Sequence, residues 1–255
     1  MSGSEWGPDV IHLREQVYRL IHFSDTMSIL DIGCGTGYDI LRFGECCGVN
    51  AQFIGVDISH RSIRKAGEKY GSDTRFRFIQ GDISAGLPFD SDSFDLVYSC
   101  NLLECIPDKQ RLIDEVGRVL KPGGQVVFCH YDWDSQIFNG YDKPLIRKIV
   151  AEFSDWKQDW MDASDGWMGR RMYGLFRNNP SFSGDIVPLV LVNTEYTPDL
   201  YGYQRIRDAQ TMADQGIVSQ EDATMFIHNI EKTVSEGTFF YSITLFVYVG
   251  QKSGT

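Results

Sequence analysis

The amino-acid sequence predicts an α/β fold: a doubly wound, mainly parallel sheet of seven strands, with an aromatic-rich helical cap after strand five. Two observations support this prediction. Up to about residue 130, short apolar runs of strand length alternate with apolar stripes of helical period. Beyond that point the chain is rich in tryptophan, tyrosine and phenylalanine, and it contains two further runs of strand length.

The first half of the chain is predicted to supply the first five strands. Their apolar runs lie at 28–32, 51–57, 75–80, 94–99 and 125–130. The apolar stripes that predict helices cover about 9–23, 36–46, 59–71 and 107–120. The Lys-Pro-Gly-Gly segment at 121–124 is expected to end the last of these helices sharply. Alternation of this kind is typical of a parallel sheet with helices on both faces.

The second half is predicted to hold four more helices and the last two strands. The helices are expected at about 142–160, 166–178, 203–215 and 219–236. Ser219 and Asp222 have the spacing of a capping box at the start of the last helix. The strands are expected at 186–197 and 239–249. Because no repeat, low-complexity tract or clear linker interrupts the sequence, we expect a single domain over residues 1–255.

Composition and charge disfavour several classes of protein. The chain carries a net charge of −11, which opposes binding to the phosphate backbone of nucleic acids. It has no run of about 18 apolar residues and no signal-peptide pattern at its start, so we expect neither a membrane partner nor secretion. The six cysteines have neither disulfide-framework nor metal-ligand spacing. A reducing, cytoplasmic setting without a bound metal is therefore expected.

The segment 28–37 is the clearest candidate site in the sequence. A short apolar strand is followed directly by three alternating glycines, Gly33, Gly35 and Gly37. Glycines in such a turn let backbone N–H groups approach a ligand at the positive end of the next helix. The dinucleotide fingerprint requires a small residue three positions after the second glycine, where this chain has Tyr38. The turn therefore predicts a small polar or nucleotide-like ligand without the usual dinucleotide motif.

Acidic and polar residues follow the other predicted strands. Asp57 ends strand two, where a carboxylate can accept hydrogen bonds from ribose hydroxyls, and Ile58 beside it would lie against an adenine ring. Asp82 follows strand three and can accept from an adenine amino group. Open α/β sheets bind ligands outside the carboxyl ends of their strands. These residues, with Asp31 and the turn at 99–101, are therefore expected to surround one ligand.

Five motifs together resemble class I S-adenosylmethionine-dependent methyltransferases of the small-molecule branch, which acts on quinones and natural products. The motifs are Ile-Leu-Asp-Ile-Gly-Cys-Gly-Thr-Gly at 29–37, Gly-Val-Asp-Ile-Ser at 55–59, Gly-Asp-Ile at 81–83, Phe-Asp-Leu-Val-Tyr-Ser at 94–99 and Leu-Lys-Pro-Gly-Gly at 120–124. They occur in the family's order and spacing, and the resemblance covers residues 25–132. It implies a Rossmann-like fold, S-adenosyl-L-methionine as the cofactor and a small-molecule acceptor.

The resemblance also implies roles for segments and for individual residues. It makes 25–132 the cofactor-binding core, and the residue pattern beyond it predicts cap and acceptor-site segments at 133–185 and 198–237 and the last two strands at 186–197 and 239–249. The residues implied to line the methionine part of the cofactor are Gly33, Cys34, Gly35 and Gly37. The resemblance also places Asp57 at the ribose, Asp82 and Ile83 at the adenine, and Cys100 beside the sulfonium.

Two departures from common methyltransferase patterns narrow the prediction. Cys105 stands where these enzymes commonly carry a histidine, so no role of that imidazole is carried over. In addition, no Asn/Asp-Pro-Pro-Tyr/Phe tetrapeptide follows strand four, which disfavours an amino-methyltransferase of DNA bases.

Candidate residues for acceptor binding and proton transfer follow strand five. His130, Tyr131 and Asp132 are expected at the carboxyl end of that strand and are the candidate acid–base residues. The cap carries Trp133, Trp156, Trp160 and Trp167. These rings can stack on a planar acceptor or hold a cation, and aromatic residues at helical spacing can equally belong to the core.

The sequence thus predicts an enzyme that transfers a methyl group from S-adenosylmethionine to an oxygen or nitrogen nucleophile of a small metabolite, with carbon left open. Two alternatives stay open. A non-catalytic module could bind S-adenosylmethionine without an acceptor, and an NAD-dependent oxidoreductase would share the acidic ribose contact, although Tyr38 and Asp82 argue against it. The sequence does not predict the oligomeric state.

Overall fold

A computed structural model describes residues 6–254 of the chain, which form eight α-helices and eight strands. The helices are α1 (Pro8–Tyr18), α2 (Tyr38–Cys46), α3 (His60–Tyr70), α4 (Lys109–Val119), α5 (Lys143–Asp155), α6 (Met168–Arg177), α7 (Tyr201–Asp214) and α8 (Gln220–Ser235). The strands are β1 (Ser28–Ile32), β2 (Gln52–Asp57), β3 (Phe76–Gln80), β4 (Phe94–Cys100), β5 (Leu120–Tyr131), β6 (Ile137–Phe138), β7 (Phe182–Asn193) and β8 (Tyr241–Lys252). Within residues 6–254, no helix has the length and apolarity needed to cross a bilayer.

The chain divides into two compact units, which are described separately. The core unit comprises Val17–His130, Arg170–Val187 and the residues from Val247 onward. The aromatic unit comprises residues 6–16, Tyr131–Gly169 and Pro188–Phe246, and it contains all five tryptophans.

The core unit is built on a parallel sheet. β1 pairs in parallel with β2 and with β4, β2 pairs in parallel with β3, and β4 pairs in parallel with β5. The strand order is β3-β2-β1-β4-β5, followed by β8. Ile32 lies opposite Val56 on one side and Ser99 on the other. The carboxyl ends of these strands therefore meet at one edge, which confirms the predicted doubly wound architecture.

Buried apolar faces and side-chain caps fix the helices of the core unit. Helix α4 begins at an N-cap, where the Asp108 carboxylate accepts from the Arg111 N–H at 3.0 Å, and its face with Ile113 and Val116 is buried. Phe43 of α2 is fully buried and packs edge-on against Tyr98 of β4, with 4.9 Å between ring centroids. Burying one such apolar side chain stabilises the fold by about 1.5–3 kcal/mol.

The aromatic unit consists mainly of α5, α7, α8 and the short strand β6. Ser219 caps α8 by accepting from the Asp222 N–H at 3.0 Å, so the predicted cap is present. β6 pairs antiparallel with the start of β8. Phe138 of β6 packs against Phe226 of α8 and Tyr241 of β8, with centroids 5.4 Å and 4.9 Å away.

Several predicted boundaries were wrong, for local physical reasons. The sheet has eight strands instead of seven, because β6 spans only two residues and is too short to show a period. The segment 121–124 does not simply end a helix: β5 already begins at Leu120, which pairs with Phe94, and the register then shifts so that Leu96 pairs with Gln125. The helix predicted at 9–23 ends at Tyr18, and the one predicted at 142–160 ends at Asp155.

Candidate cofactor site and acceptor residues

The glycine loop between β1 and α2 has the backbone conformation of a ligand cradle. Gly33, Gly35 and Gly37 have φ angles of 76°, 52° and 81°, in a region that other residues rarely adopt. The N–H groups of Gly33 and Cys34 both donate to the Val56 carbonyl, at 2.8 Å and 3.1 Å. These bonds tie the loop to the carboxyl end of β2.

The three glycines differ in how much free space lies beside them. A Cβ at Gly37 would lie 2.8 Å from the Phe78 ring, and one at Gly33 would lie 3.1 Å from the Leu102 side chain. A Cβ at Gly35 would meet no atom within 4 Å. Gly33 and Gly37 are therefore required by the packing of the core unit, whereas Gly35 borders open space that a ligand can occupy.

Asp57 connects the glycine loop to the second strand end. Its Oδ2 accepts from the Gly35 N–H at 2.9 Å, and its Oδ1 accepts from the Ser59 N–H at 2.8 Å. An ionised carboxylate has about four acceptor positions, so both oxygens can still accept from the hydroxyls of a ribose. The carboxylate thus fixes the loop and remains able to bind a ligand.

The residues expected at the adenine lie on the surface of the same unit. The Asp82 carboxylate accepts from the Ser84 N–H at 2.8 Å, and this bond lowers the pKa of Asp82. Asp82 therefore caps a short 3-10 turn, Ile83–Ala85, that carries Ile83. Ile58, next to Asp57, is 65% exposed.

The other predicted loop residues are more enclosed. Asp31 is buried in β1. Burial, followed by the charge of Asp31, raises the pKa of the buried Cys34 thiol, which is therefore neutral. The Cys34 sulfur fills the space above Gly55, where a Cβ would come within 2.7 Å of it, so Cys34 would line a ligand through its backbone. Cys100 ends β4, is partly exposed and lies opposite Cys129 of β5.

His130 has a buried acidic neighbour that sequence reasoning missed. His130 is 1% exposed and Glu104 is 5% exposed, with 3.9 Å between the His130 Nε2 and a Glu104 carboxylate oxygen. Glu104 lies in the short turn after β4, two residues beyond Leu102, which packs against Gly33. The only signal in the sequence was an acidic residue between the apolar neighbours Leu103 and Cys105.

Tyr131 and Asp132 are interior residues of the aromatic unit. The Tyr131 ring stacks on Tyr201, with centroids 5.3 Å apart and planes inclined by 23°. Asp132 is fully buried, its N–H donates to the Thr244 carbonyl, and its carbonyl accepts from the Ser135 hydroxyl at 2.6 Å.

The four cap tryptophans fall into two groups. Trp133 packs between the Tyr131 and Phe153 rings, and Trp156 is 9% exposed, with its indole N–H donating to Gln215 at 2.9 Å. Trp160 and Trp167 are 67% and 43% exposed. The first pair packs against other side chains of the aromatic unit, with Trp133 half-buried and Trp156 buried, and the second pair is accessible to a ligand.

Residues 23–180 match the profile of a family described as a methyltransferase domain. The match covers more than half of the chain and includes the glycine loop, Asp57, Asp82 and His130. The chain belongs to the methyltransferase domain family. This assignment confirms the resemblance to class I methyltransferases that five sequence motifs had indicated.

A curated relative and two solved structures illustrate the likeness. A demethylmenaquinone methyltransferase of Lactococcus lactis subsp. lactis is 41% identical over 136 residues, which are 49% of this chain and 54% of that enzyme. The YcgJ protein from Bacillus subtilis has a TM-score of 0.64 at 17% identity, covering 96% of this chain and 100% of that one. A phosphoethanolamine N-methyltransferase 2 of Haemonchus contortus, in complex with phosphomonomethylethanolamine and S-adenosylhomocysteine, has a TM-score of 0.56 at 17% identity, covering 96% and 53%.

These likenesses establish the fold of the methyltransferase domain. At 17% identity, the two structures speak to the fold alone. The chain spans between 28% and 62% of the length of the first three curated relatives it matches.

Proposed function

We propose that this protein transfers a methyl group from S-adenosyl-L-methionine to an oxygen or nitrogen nucleophile of a small-molecule metabolite. The observation that supports this most directly is the pairing of Gly35 and Asp57. A left-handed glycine that borders open space donates its N–H to a carboxylate at the next strand end. This arrangement suits a ligand with a polar amino-acid end and a ribose.

The residues of the core unit suit the three parts of the cofactor. Gly33, Cys34, Gly35 and Gly37, with Asp31, would hold the methionine part through backbone groups and one carboxylate. Asp57 would accept from the ribose hydroxyls. The adenine would lie against Ile58, with Asp82 and the Ile83 N–H at its polar edge, and Cys100 would lie beside the sulfonium. The fit rests on the open space at Gly35 and the exposed face of Ile58.

When bound, the cofactor supplies a methyl group on a sulfonium, which is already an activated donor. The main task of the protein is therefore to hold the acceptor atom in line with the bond between sulfur and the methyl group and to exclude water. Reactive side chains are less important for this reaction. No metal is required by this chemistry. The net charge of −11 favours a small acceptor over a nucleic acid.

We further propose that His130 receives the proton when the acceptor is a hydroxyl or a protonated amine. The buried Glu104 carboxylate lies 3.9 Å from the His130 Nε2, where it can help to orient the imidazole. Tyr131 and Asp132 are the other candidate acid–base residues. Glu104 would orient the His130 imidazole without contacting the acceptor, so it would be a positioning residue.

The acceptor is expected to contact aromatic side chains of the second half of the chain. Trp160 and Trp167 are the accessible candidates, because Trp133 and Trp156 are engaged in packing. An exposed indole can stack on a planar ring or hold a cation over its face.

Turnover with a labelled cofactor tests the proposal. The full chain is incubated with a metabolite extract and S-adenosylmethionine that carries a deuterated methyl group, and products are followed by mass spectrometry. We expect a metabolite that gains the labelled methyl group and an equal amount of S-adenosylhomocysteine. The Asp57→Asn variant should lose this product, and the matched Asp90→Asn variant, changed at an exposed loop carboxylate, should keep it. Transfer that is equal in both variants would contradict the assigned role of Asp57.

A further inference from the structure

The two units of the chain differ in net charge. Residues 6–16, 131–169 and 188–246, which form the aromatic unit, carry 18 acidic and 8 basic side chains, a net charge of −10 with histidine neutral. The described residues of the core unit carry 16 of each and are neutral as a whole. Almost all of the negative charge of the protein therefore belongs to the unit that holds the accessible acceptor candidates.

Trp160 is the most exposed of the five tryptophans, at 67%. Its indole N–H donates to the Gln158 Oε1 at 2.9 Å, and the Gln158 carbonyl accepts from the Met161 N–H at 3.0 Å. Met161 and Trp156, which lie on either side of this ring in the sequence, are buried. The loop is thus anchored on both sides of Trp160 and presents its ring to solvent.

The charged side chains near Trp160 in the sequence are mainly acidic. Asp155, Asp159 and Asp162 are exposed, and Lys157 is the one basic residue within 155–165. In the described part of the chain, none of these three carboxylates has an ion-pair partner. Their negative charges are therefore not neutralised locally.

Charge decides which ligand suits this ring. An exposed indole can stack on a neutral planar ring or hold a cation over its face. A unit with a net charge of −10 raises the local concentration of cations, repels anions and leaves neutral molecules unaffected. An ammonium ion gains from the ring and from the carboxylates, whereas a neutral ring gains from stacking alone.

We propose that the aromatic unit binds a small organic ammonium ion at Trp160, and that the methyl acceptor is the nitrogen of such an amine. This inference rests on the proposed function and narrows the acceptor from an oxygen or nitrogen nucleophile to an amine. A neutral phenol, an alcohol and a carboxylate are the acceptors that it disfavours.

The transfer to an amine is balanced as follows. The ammonium ion first loses a proton, which His130 receives under the proposed function. The lone pair set free on nitrogen forms the bond to the methyl carbon, while the electron pair of the carbon–sulfur bond stays on sulfur. The products are a methylated ammonium ion and S-adenosylhomocysteine, so the positive charge of the sulfonium passes to the acceptor nitrogen.

A quaternary ammonium ion tests recognition without turnover, because its nitrogen cannot accept a methyl group. The probe is choline, its neutral isostere is 3,3-dimethylbutan-1-ol, and its anionic counterpart is 3,3-dimethylbutanoate. All three have a nine-proton methyl singlet that saturation-transfer NMR can follow with the full chain. We expect choline to bind with a dissociation constant of about 10 mM or below, and the other two at least roughly tenfold more weakly. Raising the salt from about 20 mM to about 500 mM should weaken choline by about threefold and leave the alcohol unchanged.

Two substitutions of the exposed ring separate a cation–π contact from general apolar contact. Trp160→Leu keeps an apolar side chain and should weaken choline by about fivefold, while the alcohol changes by less than about twofold. Trp160→Phe keeps an aromatic face and should retain most of the affinity for choline. Because the ring is 67% exposed, both variants should fold, which thermal melting verifies.

A matched pair of double variants tests the contribution of charge. Asp159→Asn/Asp162→Asn removes two carboxylates of the aromatic unit and should weaken choline by at least about threefold. Glu45→Gln/Glu68→Gln removes two carboxylates of the core unit, which are paired with Arg42 and Arg64, and should leave choline binding unchanged.

The product of the labelled-methyl reaction distinguishes this inference from the proposed function. We expect the labelled metabolite to be a methylated ammonium compound. A labelled phenol or alcohol would overturn the choice of acceptor while it supports methyl transfer itself. The inference is also overturned if choline and the alcohol bind equally, or if both Trp160→Leu and Asp159→Asn/Asp162→Asn bind choline as tightly as the unchanged protein. Failure to bind S-adenosylhomocysteine would instead contradict the proposed function.

Discussion

The core unit and the aromatic unit use their polar side chains in different ways. In the core unit, carboxylates near strand ends hold backbone N–H groups of nearby segments: Asp57 holds Gly35 and Ser59, and Asp82 holds Ser84. In the aromatic unit, polar groups also lie among rings. The Trp156 indole, for example, packs edge-on against Phe153 while its N–H donates to Gln215.

The range of these contacts along the sequence also differs. The bonds made by Asp57 and Asp82 span 2 to 22 residues. In the aromatic unit, Asp9 accepts from the Asn193 amide 184 residues away and from the Tyr201 N–H 192 residues away. In the core unit, these two carboxylates therefore order loops near the proposed cofactor site, whereas in the aromatic unit Asp9 joins segments that are far apart in the sequence. Substitutions should accordingly affect ligand binding most in the first unit and stability most in the second.

The largest expected effect is on the stability of the aromatic unit. Trp156→Ala should lower the free energy of unfolding by about 3–5 kcal/mol, because it removes a buried ring. Trp160→Ala, at a 67% exposed ring, should cost less than about 1 kcal/mol. Urea denaturation of both variants measures the difference, and equal losses would refute the division of the tryptophans into two groups.

In the core unit, two glycine substitutions should have similar effects on stability but different effects on ligand binding. Gly35→Ala and Gly123→Ala both place an alanine at positive φ with no atom within 4 Å, so each should lower stability by a similar amount, about 1–2 kcal/mol. Only Gly35→Ala should weaken binding of S-adenosylhomocysteine, by at least roughly tenfold or about 1.4 kcal/mol. If calorimetry shows unchanged binding by Gly35→Ala, the open space beside Gly35 is not the cofactor cradle.

The loop after Asp82 should respond to acid. Glu115 accepts from the Leu87 N–H and from Arg118, and the Arg118 hydrogen bond is the main reason that the pKa of Glu115 is lowered to about 2. A folded-state pKa below the unfolded value stabilises the fold above the unfolded pKa of about 4.3, and this stability is lost as the pH falls toward 2.

Glu115→Gln should therefore lower stability by about 1–2 kcal/mol at pH 7 and flatten the loss between about pH 4 and pH 2. The matched variant Glu68→Gln removes an exposed carboxylate paired with Arg64 and should change neither quantity. Thermal melts across the pH range provide the measurement. An unaltered acid transition in Glu115→Gln would show that this carboxylate does not hold the loop.

The smallest expected effect concerns a helix end of the aromatic unit. Ser219→Ala removes the N-cap of α8 and should cost about 1 kcal/mol. Ser235→Ala, at the other end of the same helix, loses only a bond to the Lys232 carbonyl and should cost about half of that or less. Denaturation curves that rank the two in the reverse order would contradict the assigned cap.

The same contrast explains what could be predicted from the sequence. The glycine loop was predictable because strand, turn and helix start lie within ten consecutive residues, and their conformation is set by glycine positions. The capping of α8 by Ser219 was predictable for the same reason. Periodicity could not reveal the two-residue strand β6 or the shifted register between Phe94 and Leu96, which depend on neighbouring strands.

Residues whose role depends on three-dimensional neighbours were missed. Glu104 reads as an ordinary acidic residue in a turn until the fold brings it 3.9 Å from His130. Arg205 and Asp208 read as a surface pair three residues apart on a helix, although the fold surrounds Arg205 with aromatic rings. In both cases the informative partner lies on a distant segment of the chain.

Calorimetric titration of the full chain with S-adenosylhomocysteine tests the central claim, that the carboxyl edge of the parallel sheet binds an adenosyl cofactor. We predict a dissociation constant of about 1–100 µM for the unchanged protein, at least roughly tenfold weaker binding by Asp57→Asn, and unchanged binding by Asp90→Asn. No heat of binding at about 1 mM S-adenosylhomocysteine, with binding of NAD instead, would contradict it.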